Sequence, residues 1–65
     1  MLIGVIDGLG GGIGSQLVAQ LRGDLRPGEE IIALGTNSAA TAAMVKAGAA
    51  RGATGENAIR IMAQR

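Results

Sequence analysis

A short apolar run, Leu2-Ile3-Gly4-Val5-Ile6, leads directly into Asp7-Gly8-Leu9-Gly10-Gly11-Gly12-Ile13-Gly14 and then into a helical pattern. Five of those eight loop residues are glycine. Glycine serves where backbone turns tightly, takes positive φ or lies against another group with no side chain between. A β-branched run of five residues bounded in this way suits a strand of a parallel sheet covered on both faces. The junction that follows is a strand-to-helix turn, where helix N–H groups commonly receive a phosphate. These three segments confine the chain to an α/β fold more tightly than any other feature.

The glycine spacing separates several known fingerprints. The pattern G-x-G-x-x-G fails from Gly8, where the last position is Ile13, and from Gly10, where it is Ser15. The pattern G-x-x-x-G-x-G is met by Gly8, Gly12 and Gly14; short-chain dehydrogenases carry this form and end it in the same Gly-Ile-Gly. No lysine follows the glycines, so the P-loop form is absent. One or two glycines suffice for close packing of a helix on a sheet, and five are more than that role needs.

Past the loop, Ile13, Leu17, Val18, Leu21 and Leu25 recur at helical spacing, and residues 12–23 read as an amphipathic helix. Arg26-Pro27-Gly28 is a turn. Glu29 to Leu34 reads as a second strand, completing a βαβ unit with a right-handed crossover. Gly35-Thr36-Asn37-Ser38 is a loop offering Asn37 and Ser38 as N-caps. Ala39 to Ala47 is a second helix with Met44 and Val45 as its large apolar residues, and Gly48 stands at C′. Ala49–Ala53 fits either a short strand or a loop. Thr54 is placed to cap a last helix carrying Glu56, Ala58, Ile59, Ile61 and Met62. The expected fold is thus α/β: a Rossmann-like βαβα(β)α half of a doubly wound parallel sheet, with residues 1–65 as one nucleotide-binding half-domain.

Composition limits the chemistry. The chain has no Cys, His, Phe, Tyr or Trp. Disulfides, thiolate catalysis and the commonest zinc ligand are therefore excluded, and a reducing cytoplasm is the expected setting. Net charge is +1 with no basic block and no aromatic for base stacking, so neither nucleic acid nor membrane is an expected partner. The N-terminal apolar run is too short for a signal peptide or a membrane span. Much of the 48% apolar fraction is alanine, which buries little area. A 65-residue chain buries only about 60% of its unfolded surface. Such a sheet is expected to be a shortened one or to be completed by self-association, making a homo-oligomer.

The chain resembles a small family of bacterial and archaeal proteins of unknown function, found chiefly in anaerobes. Three blocks carry the resemblance: Ile6-Asp7-Gly8-Leu9-Gly10-Gly11-Gly12-Ile13-Gly14, Ile31-Ile32-Ala33-Leu34-Gly35-Thr36-Asn37-Ser38, and Gly52-Ala53-Thr54-Gly55-Glu56-Asn57-Ala58. They span most of the chain. The resemblance implies further strands beyond this stretch, and it brings no assigned reaction.

In an open α/β sheet, ligands bind beyond the carboxyl ends of the strands. The expected binding set is therefore Asp7, Gly8, Gly10, Gly11, Gly12, Ile13, Gly14, Thr36, Asn37 and Ser38. The leading expectation is a nucleotide or dinucleotide, NAD or NADP first, with its phosphate on the Gly8–Gly14 loop. The alternatives are a small anionic or phosphorylated metabolite, or a non-catalytic oligomerisation module. The end of the second strand has neither the acid of an NAD site nor the arginine of an NADP site, so Thr36 and Asn37 discriminate poorly. Asp7 has two readings. It accepts hydrogen bonds from the loop N–H groups and fixes the turn, or it binds Mg²⁺ or a ligand hydroxyl; the first is preferred. There is no Tyr-x-x-x-Lys pair, and no catalytic or metal-ligating residue is assigned.

Overall fold

The computed structural model describes residues 1–55 and Arg60. The element order is β1 (Leu2–Asp7), α1 (Gly12–Gly23), β2 (Glu30–Gly35), α2 (Ser38–Ala47) and β3 (Arg51–Thr54). The three strands form one parallel sheet in the order β1-β2-β3. Leu2 stands beside Glu30 and Asp7 beside Gly35, while Ile32 stands beside Arg51 and Gly35 beside Thr54. This is a Rossmann-like α/β half-fold, as the βαβ pattern implied. The open choice over residues 49–53 resolves as a strand, two residues further on. The last helix expected after Thr54 lies outside the described residues.

Side chains of a strand alternate between faces, so the register sorts the core. Ile3, Val5, Ile31 and Ala33 turn toward the helices and pack with Val18 of α1, Met44 of α2 and Ala49. β2 lies between the other two strands, and Ile31 through Gly35 are buried without interruption. Both of its neighbours are parallel, and its run is apolar on both faces. β3 reads Arg-Gly-Ala-Thr, with Gly52 directly under Thr41 and Val45 of α2. A Cβ at Gly52 would stand 2.6 Å from Thr41 Cγ2, so this edge strand supplies close approach rather than apolar bulk.

One expectation about α1 needs correcting. Ile13 and Leu17 sit within its apolar pattern, yet they are 82% and 43% exposed. The buried residues of α1 are Gly14 and Val18, supported by Leu21 and Leu25. Helix α2 packs against the side of α1 that carries Gly11, Gly14 and Arg22. At 100° per residue, Ile13 and Leu17 fall on the opposite flank. Likewise Met44 is fully buried while Val45 is 39% exposed. Two parallel helices on one sheet face share a narrow core, and a small set of residues fills it.

Candidate functional site

All three parallel strands end on the same side, so the βα loops gather beyond their carboxyl ends. The first junction runs from Asp7 to Gly14. Asp7 closes β1, and its Oδ2 accepts from the Gly14 N–H at 2.6 Å. Gly11 is the N-cap of α1, with φ 80 and ψ 9, and no side chain caps it. That left-handed conformation favours glycine, since a Cβ is strained there. A Cβ at Gly11 would also stand 2.8 Å from the Ala40 carbonyl oxygen. A Cβ at Gly14 would stand 2.7 Å from both Asp7 Oδ2 and Met44 Sδ. So Gly11 and Gly14 are demanded by the fold. The spaced trio singled out in the sequence shares only Gly14 with this pair. A Cβ at Gly10 or Gly12 would meet nothing within 4 Å, and one at Gly8 would make ordinary contact with Thr36.

Helix α1 begins with three N–H groups that no earlier turn can satisfy. Gly14 donates to Asp7, and Ser15 donates to the Gly11 carbonyl at 2.7 Å. The N–H groups of Gly12 and Ile13 find no acceptor among the described residues, and both residues are exposed. The preferred reading of Asp7, as acceptor of a loop N–H, therefore matches its geometry at one donor and leaves two others open. Its carboxylate also places a negative charge against the positive end of the helix dipole.

The second junction is built from side chains. Asn37 is the N-cap of α2, its Oδ1 accepting from the Ala40 N–H at 2.9 Å. Its Nδ2 donates to the carbonyls of Gly8 at 2.6 Å and Leu9 at 2.8 Å. Thr36 Oγ1 donates to the same Gly8 carbonyl at 2.8 Å. The side-chain donors of Thr36 and Asn37, both in the expected binding set, are engaged with the glycine loop and tie the two junctions together. Ser38 opens α2 and is exposed, without a side-chain hydrogen bond among the described residues.

Thr41, which nothing in the local sequence marks, lies between these groups. Its Oγ1 donates to the Asn37 carbonyl and to the Ala53 carbonyl, each at 3.2 Å, and accepts from Thr54 Oγ1 at 2.8 Å. Thr54 ends β3 and donates its hydroxyl to Thr41, while the helix it was expected to cap lies outside the described residues. The signal for Thr41 in the sequence is only its i+4 spacing from Asn37. Glu56 and Asn57 lie outside the described residues. Among the described residues no three His, Cys, Asp or Glu gather as a metal site, and no helix is long and apolar enough to cross a membrane.

A three-stranded parallel sheet with a glycine-built first βα junction defines an α/β protein of the Rossmann-like class. The chain matches the model of a family described as a domain of unknown function, DUF3842, over residues 2–65, and it belongs to that family. The resemblance to a family without an assigned activity thus holds at the family level. No curated protein and no solved structure matches the chain.

Proposed function

We propose that this chain binds the phosphate of a nucleotide or other phosphorylated small molecule at the start of α1, with NAD and NADP as the first dinucleotides to try. One observation carries the reading: Gly12 and Ile13 are exposed and their N–H groups find no acceptor among the described residues, behind glycines whose missing side chains the fold does not require. Such a helix start favours an anion through its N–H groups and its dipole. A cytoplasmic setting goes with this reading. The test is amide-resolved NMR titration with inorganic phosphate, ATP, NAD, NADP and FAD. The expected result is saturable shifts centred on Gly12 and Ile13; silence of both amides toward all five ends the proposal.

A specific observation favours a smaller ligand over a dinucleotide. Thr36 and Asn37 bridge to Gly8 and Leu9, closing the gap between the first loop and the end of β2. A dinucleotide places its ribose beside that strand end. Phosphomonoesters that compete as well as whole nucleotides would mark the small-anion reading; tighter NAD or NADP binding would mark the dinucleotide reading.

Association of copies, as a homo-oligomer or a scaffold, is the third proposal. β1 is an edge strand with Leu2 and Ile6 half-exposed on one side and Ile13 and Leu17 on the other. The Glu30 N–H donates to Met1 and the Thr36 N–H to Asp7, so odd residues of β1 face β2. Even residues turn their backbone groups outward, without the lysine or proline that guards many edges. Sedimentation over a range of concentrations reads this directly, and a constant monomer mass rejects it.

A further inference from the structure

The two junctions touch at two independent places. Gly11 packs against Ala40 and Ala43, so the left-handed turn that starts α1 rests on the first turns of α2. Asn37 meanwhile holds both ends at once: its Oδ1 takes the Ala40 N–H, and its Nδ2 holds the carbonyls of Gly8 and Leu9. A planar amide cannot rotate toward one partner without leaving the other. Thr41 extends the connection. Its single hydroxyl proton faces two carbonyls at 3.2 Å, Asn37 on the loop side and Ala53 on β3, and serves one at a time.

We propose that the Gly8–Gly14 loop and the first turn of α2 form one opening unit, latched by the Asn37 side chain. Local opening in proteins proceeds in cooperative units, and shared hydrogen bonds set their borders. Opening of the loop strips Asn37 of the partners that orient its amide, and the cap of α2 then goes with it. On the binding reading above, a ligand that steadies the loop also steadies α2. The latch itself is a property of the free chain, so its test needs no ligand.

The test is hydrogen exchange by NMR on the whole chain with Asn37→Asp. The aspartate keeps an oxygen for the Ala40 N–H and loses both donors to Gly8 and Leu9. The reporters are the bonded amides of Gly14 and Ser15 on the loop side, and of Ala40 and Thr41 on α2. A latched unit exchanges faster at all four by a common factor, about tenfold for the two bonds lost. Independent junctions give a different sign, because an anionic cap favours a helix start: Gly14 and Ser15 speed up while Ala40 and Thr41 hold or slow down. That outcome, or no change at any of the four, overturns the proposal. Thr36→Val removes only the third donor to the loop and should give the same paired response at smaller size. It carries the test alone if Asn37→Asp does not fold, and acceleration confined to the loop again overturns the latch.

Discussion

Among the described residues the chain passes from strand into helix twice, and it does so by opposite means. The β2–α2 junction caps its helix with its own side chains: Asn37 takes the Ala40 N–H, and Thr41 returns a bond to the Asn37 carbonyl. The β1–α1 junction uses bare backbone, with Gly11 as an uncapped N-cap and help from Asp7 at Gly14 only. Capping satisfies orphan N–H groups from within, so a helix start made of glycine leaves them open to whatever lies outside. The difference teaches which of the two junctions is organised for itself and which faces outward. It also shows that the second supports the first, since three donors of Thr36 and Asn37 end on Gly8 and Leu9.

The comparison breaks most visibly at the packed glycines. Gly14→Ala drives a methyl into Asp7 and Met44, and removal of that overlap displaces either the carboxylate or the core sulfur. The expected loss is about 2–3 kcal/mol, from overpacking and the disturbed Asp7 bond. Gly11→Ala combines positive φ with contact on Ala40 and should cost about 2 kcal/mol. Urea denaturation of the two variants checks both figures. A loss below half a kcal/mol at either site means that the first junction does not depend on its glycines.

At the second junction, Asn37→Ala removes one accepted and two donated bonds together. The expected loss is about 1–2 kcal/mol. Ser38→Ala, one residue along, should stay within about 0.5 kcal/mol, as surface substitutions usually do. Equal losses at the two positions would assign the cap wrongly.

Much of this fold was legible in residues. The β-branched runs at 2–6 and 29–34 separated by a helical period give a parallel βαβ unit almost directly, since few other folds accept that order. β3 was legible only as an alternative to a loop, because an edge strand reading Arg-Gly-Ala-Thr holds its place through α2's close approach and not through an apolar pattern of its own. The outward turn of Ile13 and Leu17 was hidden for a related reason: periodicity shows that a stripe exists, while α2's position decides which part of it is buried. At the site, the loop and its Asp7 contact were readable, but the division among glycines was not. Five adjacent glycines look alike until Ala40 and Met44 are placed against two of them. The tie from Asn37 back to Leu9 joins positions 28 apart in sequence, which no local motif encodes.

Asp7 sharpens the comparison through charge. Asp7→Asn keeps an oxygen for the Gly14 N–H and removes the negative charge beside the open amides. Inorganic phosphate should then bind about threefold to tenfold more tightly at low salt, in line with roughly 1 kcal/mol for unit charges near contact in water. The gain should shrink as added salt screens the pair. Titration followed at the Gly12 and Ile13 amides measures it. Weaker binding in the variant, and only with Mg²⁺ present, would instead make Asp7 a metal ligand.

The smallest effect is the most discriminating. Gly12 opens α1 with its Cβ direction empty, so Gly12→Ala adds a methyl without collision. In a helix, alanine is better than glycine by about 0.5–1 kcal/mol, less at the first position, because it restricts the unfolded chain. The variant should therefore be slightly more stable than the parent. A phosphate seated on the Gly12 and Ile13 N–H groups needs that same empty space, and the methyl should weaken it several-fold. Stability rising while affinity falls would separate what the fold asks of this loop from what a ligand asks of it. If both rise together, or if affinity stays level, Gly12 serves no ligand, and the outward-facing character of the first junction must come from elsewhere.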